Sequence, residues 1–155
     1  WDKYRNVLGI WMYQIINGMQ PTIFGDGEQV RAFSYVDDSI IPFWNASQRD
    51  ECIDEIINLG GIKEYTINEA CQTLIKVTGT DLKPKYLEGR HEAKHAWSTW
   101  EKSVELLDFD HKIDLEEGLT KMWEWAKTQP MRERFFWGEY ELDKGIYEFW
   151  KTEEK

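Results

Sequence analysis

Apolar side chains crowd most faces of Val7 to Asn17 (VLGIWMYQIIN), the pattern of a well-buried helix, and Gly18 supplies its C-terminal stop. Thr22-Ile23-Phe24 is a short β-prone run, and the turn Gly25-Asp26-Gly27 follows it. From Val30 to Val36 the period is two. Arg31, Phe33 and Tyr35 fall on one face, and Val30, Ala32 and Val36 on the other. Asp37 and Asp38 mark a helix start, where negative charge is favoured, and Ile40 to Ala46 carries that helix. Glu55-Ile56-Ile57-Asn58-Leu59 predicts a buried strand, stopped by Gly60-Gly61.

Three stretches then spell a capping box, in which a capping side chain precedes a glutamate by three positions: Thr66…Glu69, Ser98…Glu101 and Asp114…Glu117. The first opens a helix through Val77 that Gly79 ends. The third opens a helix with Leu115, Leu119, Met122, Trp123 and Ala126 on one stripe. Lys85-Tyr86-Leu87 predicts a strand between the first box and the second. Pro130 interrupts, and a last aromatic-rich helical stretch runs from about Tyr140 to Trp150. Short strands scattered among more numerous helices predict an α+β fold. It is a small irregular domain spanning residues 1–155, of which about 130–155 is a helical C-terminal extension.

Composition narrows the function. The 155 residues hold 29 acidic and 19 basic side chains, a net charge of −10. A nucleic-acid binder needs the opposite balance, because phosphate neutralisation supplies most of its affinity, and an anionic membrane is disfavoured likewise. A few placed arginines can still make a local site for one phosphorylated ligand. No apolar run approaches the roughly 20 residues that span a bilayer, and Trp1-Asp2-Lys3-Tyr4-Arg5 is not a signal peptide, so a cytoplasmic location is expected. Cys52 and Cys71 are too few for a disulfide framework and read as two buried thiols.

Two five-residue spellings carry candidate chemistry. His91-Glu92-Ala93-Lys94-His95 is H-E-x-x-H, in which two histidines one helical turn apart ligate zinc and the glutamate acts as base. The context argues against a zinc helix. Gly89 precedes it, the Ser98 box opens a new helix directly after, and Lys94 places a cation beside the metal. Tyr140-Glu141-Leu142-Asp143-Lys144 spells Tyr-x-x-x-Lys, the acid/base pair of short-chain dehydrogenases, and reads here as a solvated helix face. No G-x-G-x-x-G, P-loop or G-x-S-x-G run occurs. Neither a catalytic residue nor a metal ligand is expected in this chain.

The most specific stretch is the eighteen-residue segment Pro21-Thr22-Ile23-Phe24-Gly25-Asp26-Gly27-Glu28-Gln29-Val30-Arg31-Ala32-Phe33-Ser34-Tyr35-Val36-Asp37-Asp38. It closely resembles a segment of the extended short-chain dehydrogenases, the NAD-dependent epimerase/dehydratase family that includes UDP-glucose 4-epimerase. Arg5-Asn6-Val7, Ile57-Asn58-Leu59-Gly60-Gly61 and Arg90-His91-Glu92 follow in the family's order and spacing. The resemblance covers the chain up to the Leu115–Lys127 helix. It implies the substrate-binding lobe of such an enzyme, with the NAD-binding Rossmann half, the nicotinamide loop and the family's own Tyr-x-x-x-Lys lying upstream of residue 1.

Residue by residue, the resemblance implies a cradle for a nucleotide-diphosphate sugar, most simply a UDP-sugar. Asn6 and the backbone at Val7 meet the diphosphate at a helix N-terminus. Thr22 and Phe24 flank the base, through backbone hydrogen bonds and the ring. Arg31 and Arg90 clamp phosphate. Glu92 stands where relatives often carry a ribose-binding aspartate, in a segment one residue shorter. Asn58 lies near the base edge, and Phe33 is a pocket wall, although Phe24 and Phe33 serve equally for core packing. The implied parent is a homodimeric enzyme using NAD to epimerise, dehydrate or decarboxylate the sugar. A non-catalytic nucleotide-sugar module and a zinc peptidase are the alternatives from other classes.

Overall fold

The computed structural model describes residues 6–130, and the Tyr140–Lys144 pair and the helical extension lie outside them. Its elements are α1 (Val7–Ile16), β1 (Thr22–Phe24), β2 (Val30–Ala32), α2 (Val36–Ala46), a 3-10 turn (Asp50–Cys52), β3 (Glu64–Thr66), α3 (Ile67–Thr78), β4 (Lys85–Leu87), β5 (His95–Ala96), α4 (Glu101–Leu107) and α5 (Leu115–Thr128). The class is α+β. β1 pairs in parallel with β4, and β2 is the middle strand of a second sheet, antiparallel to β3 and parallel to β5.

The core forms where α1, α3 and α5 converge on β1. Trp11 and Met12 of α1, Ile23 of β1, Ala70, Cys71 and Leu74 of α3, and Leu119 and Ala126 of α5 are buried together. A helix apolar on most faces must be covered on most faces, and α1 is. Its one buried polar side chain, Gln14, is satisfied across the interface. Gln14 Nε2 donates to Thr22 Oγ1 at 3.0 Å, and the Thr22 N–H donates to Gln14 Oε1 at 3.0 Å. Trp11 Nε1 donates to the Thr22 carbonyl at 2.7 Å. These bonds lock β1 against α1, so Ile23 points into the core while Thr22 and Phe24 face the other way.

The capping boxes part company. Thr66 and Glu69 form the reciprocal box, with Glu69 N–H donating to Thr66 Oγ1 at 3.0 Å and Thr66 N–H to Glu69 Oε2 at 2.7 Å. Gly79 closes α3 in the left-handed region, and Asp114 caps α5 through Glu117 N–H at 2.9 Å. Ser98 caps nothing. Helix α4 starts at Glu101, which bends back onto Trp100 N–H at 3.0 Å, while the buried Ser103 donates to the Trp100 carbonyl.

Two further expectations are corrected. β2 ends at Ala32, and α2 begins at Val36, so the alternation written through Val36 holds over three residues only. Asp37 and Asp38 occupy the first turn of α2 as expected, and Asp38 also accepts from Ile113 N–H at 3.0 Å. Glu55–Leu59 is no strand. No strand pairs with it, and Ile56 is 87% exposed. Lys102 holds the segment instead, through Glu55 and the Ile56 carbonyl. Gly61 then passes so close to Phe33 that a Cβ there would overlap the Phe33 carbonyl.

Candidate functional site

Strand alternation places Thr22 and Phe24 on one wall of a cavity of about 290 Å³. Its lining also includes Asn6, Val7, Gln29, Arg31, Phe33, Arg90 and Glu92. Eight of the nine residues that the sequence nominated therefore meet in one place. The ninth, Asn58, does not line it; its amide donates to Thr99 Oγ1 at 3.4 Å on an exposed loop.

Each wall has a local cause. Asn6 opens α1 with φ of 60°, an uncommon conformation for which asparagine is enriched, and its side chain caps Leu8 N–H at 3.2 Å. The first turn of α1 carries no acidic residue, so nothing within the helix itself offsets its positive end at the cavity. The turn after β1 needs glycine at position 27, where φ is 76° and a Cβ would overlap the Asn68 amide. Asn68 Nδ2 clamps that turn to α3 by donating to the Asp26 carbonyl at 2.9 Å and to Glu28 at 2.7 Å.

The charged groups form one network. Arg31 comes from the middle strand β2, and Arg90 from the loop after β4. Their guanidiniums reach the same oxygen, Glu92 Oε2, at 3.2 and 3.7 Å. The Arg31, Arg90 and Glu92 side chains keep 23%, 28% and 26% of their exposure, so they stand at the mouth, partly desolvated. Arg90 also lies over the Phe24 ring, 3.9 Å from its centroid, a cation–π contact. Gln29 Nε2 donates to Glu92 Oε1 at 3.0 Å and to the Phe24 carbonyl at 2.9 Å. Gln29 was not nominated from sequence, although it stands two residues before Arg31 within the segment that carries the resemblance.

The Thr22 N–H already serves Gln14 and its carbonyl already receives Trp11, so this backbone anchors β1 and has no spare donor for a base. The H-E-x-x-H residues occupy no helix. His95 belongs to β5, His91 sits at a bend, and Glu92 is committed to the arginines. Among the described residues no group of three His, Cys, Asp or Glu side chains is placed to hold a metal ion. Of the thiols, Cys71 is buried and Cys52 only half-buried, so the expectation of two buried thiols holds for one. No described helix is long and apolar enough to cross a membrane.

An α+β lobe that gathers two guanidiniums, a helix N-terminus and an aromatic ring around one cavity is suited to hold an anionic ligand beside a flat one. Known proteins place it further. UDP-glucuronate 4-epimerase of Thermodesulfobacterium geofontis is 36% identical over 107 residues, 68% of this chain and 32% of that protein. The crystal structure of UDP-glucose 4-epimerase from Thermotoga maritima with UDP-glucose superposes with a TM-score of 0.75 and 31% identity, covering 81% of this chain and 41% of that one. UDP-glucuronic acid 4-epimerase from Bacillus cereus, in complex with UDP-glucuronic acid and NAD, gives 0.73 and 29%, covering 79% and 40%. No protein-family profile matches the chain. The chain belongs to the NAD-dependent epimerase/dehydratase family of extended short-chain dehydrogenases and corresponds to their C-terminal region. It spans about two fifths or less of the length of these relatives.

Proposed function

We propose that the chain is the nucleotide-binding lobe of an NAD-dependent UDP-sugar epimerase of the UDP-glucose 4-epimerase kind. The observation that carries this reading is the convergence of the α1 N-terminus, Arg31, Arg90 and Phe24 on one cavity. Arg31, Arg90 and the α1 N-terminus at Val7 hold the diphosphate, and Phe24 and Phe33 wall the base and sugar side. The UDP-sugars in the two related crystal structures support the ligand class.

The lobe contains no dinucleotide loop, and its cavity residues suit a diphosphate and one flat ring. NAD is therefore assigned to the cofactor-binding half of the parent enzyme, where it would supply hydride chemistry at the sugar. The residues described here bind and orient: they fix the nucleotide so that the sugar is presented to the other half. For that half, α2 offers Val36, Ile40, Ile41, Phe43 and Trp44, all more than half exposed.

Calorimetry tests the reading on the 155-residue chain. Saturable binding of UDP without binding of NAD is expected. Binding of NAD with none of UDP would overturn it.

A further inference from the structure

Two arginines in a nucleotide site are explained by the diphosphate; the carboxylate between them stands where the resemblance implies a ribose-binding group, yet both of its oxygens are engaged by protein side chains. Glu92 is a negative charge held where negative ligand oxygens are to be received. It is no stray surface side chain. One oxygen is shared by Arg31 and Arg90, and the other is pinned by Gln29, which is itself pinned to the Phe24 carbonyl. The three charged side chains thus present a net charge of +1, where the two arginines alone would present +2.

That difference matters for ligands that share a diphosphate and differ in charge. A nucleotide sugar is a diphosphate diester with one negative charge on each phosphoryl group. A free nucleoside diphosphate has the same two, and its terminal phosphate adds up to one more at neutral pH, because its second ionisation lies near pH 6. The carboxylate repels that extra charge, so a site that keeps it among its cations gains less from the third charge than two arginines alone would.

We propose that Glu92, bridged between Arg31 and Arg90 and anchored by Gln29, is a specificity-determining residue that shifts the lobe's preference away from the free nucleoside diphosphate and toward the nucleotide sugar. This rests on the nucleotide-binding reading above and deepens it. In the parent enzyme the consequence is reduced occupancy by free nucleoside diphosphate, which carries no sugar for the other half to act on. Gln29 is the positioning residue in this arrangement: without its amide the carboxylate is free to swing off the arginines.

The test compares two ligands on one protein. The 155-residue chain and its Glu92→Gln, Glu92→Ala and Glu92→Asp variants are titrated calorimetrically with UDP and with UDP-glucose, with thermal melts to verify folding. Glu92→Gln should tighten UDP more than UDP-glucose, moving the ratio of their dissociation constants by roughly 3- to 10-fold, the size of one charge–charge interaction in a half-exposed site. Glu92→Ala should shift the ratio in the same direction, which keeps the test open should the glutamine variant fold poorly. Glu92→Asp, which retains the charge, should leave the ratio within about twofold of the parent. Binding of both ligands with the same ratio in all four proteins overturns this inference and leaves the nucleotide site standing. Binding of neither ligand by the parent chain removes both.

Discussion

Arg31 and Arg90 reach one carboxylate oxygen from different elements, and this governs what their removal should do. Each →Ala change deletes a charge-assisted contact to the diphosphate, a cost of about 1.5–3 kcal/mol, or roughly 10- to 150-fold in UDP affinity. The two costs should not add, because each substitution also leaves Glu92 with one arginine fewer; a double-mutant cycle by calorimetry measures that coupling. In an intact parent enzyme the loss should appear mainly in KM, since the diphosphate is unchanged by the chemistry. The idea fails if both alanine variants hold UDP as tightly as the unsubstituted chain. Cys71 gives a second residue-scale prediction. Burial against the core pushes its thiol up to about 12, so at pH 8 it is protonated and inaccessible. A thiol reagent should titrate Cys52 alone in the native protein and both cysteines in guanidinium.

Helix α3 shows how an element inherits stability from its ends. The Thr66 N–H, and then the Thr66 hydroxyl, hold the Glu69 carboxyl below its ordinary range. A carboxylate whose folded pKa is depressed contributes stability above its unfolded pKa and loses it as pH falls through the folded value. Thr66→Ala should therefore cost about 1 kcal/mol near neutral pH, and less in acid, as protonation of Glu69 weakens the bond it accepts from the Thr66 hydroxyl. Chemical denaturation at pH 7 and pH 3 reads the difference, and an equal cost at both values would count against the box. The same spelling at Ser98 makes no cap. A box is a local proposal that the chain accepts only where tertiary packing starts the helix at the right residue, and the buried Ser103 fixes the start of α4 at Glu101. Glu55–Leu59 follows the same logic in reverse. Its apolar residues suit a strand, but a strand needs a neighbour to accept its backbone hydrogen bonds, and none is beside it.

Across the whole molecule, two surfaces contrast. The core among α1, α3, α5 and β1 is closed, whereas α2 turns Val36, Ile40, Ile41, Phe43 and Trp44 outward. An apolar helix face of this kind marks a partner surface. The 155-residue chain should self-associate or bind a hydrophobic dye, and Phe43→Glu with Trp44→Glu should abolish either without lowering thermal stability by more than a few degrees. A monomeric chain that binds no dye would refute the assignment of α2 as a docking face.

By itself the sequence determined what is local or periodic. α1, β1, the α3 box with its glycine stop, β4 and the α5 stripe all stand where spacing and capping chemistry place them. A long specific segment also nominated part of the cavity wall through its resemblance, because Thr22, Phe24, Arg31 and Phe33 share one continuous run. Only the tertiary structure decided which polar groups were already spoken for. Thr22 is claimed by Gln14 and Trp11 across eight and eleven positions, and Glu92 is claimed by Gln29 and Arg31 across more than sixty. A side chain's partner depends on where distant segments are brought to rest. Residue type and spacing therefore show what Glu92 is able to do, and packing alone settles that it lies between two arginines.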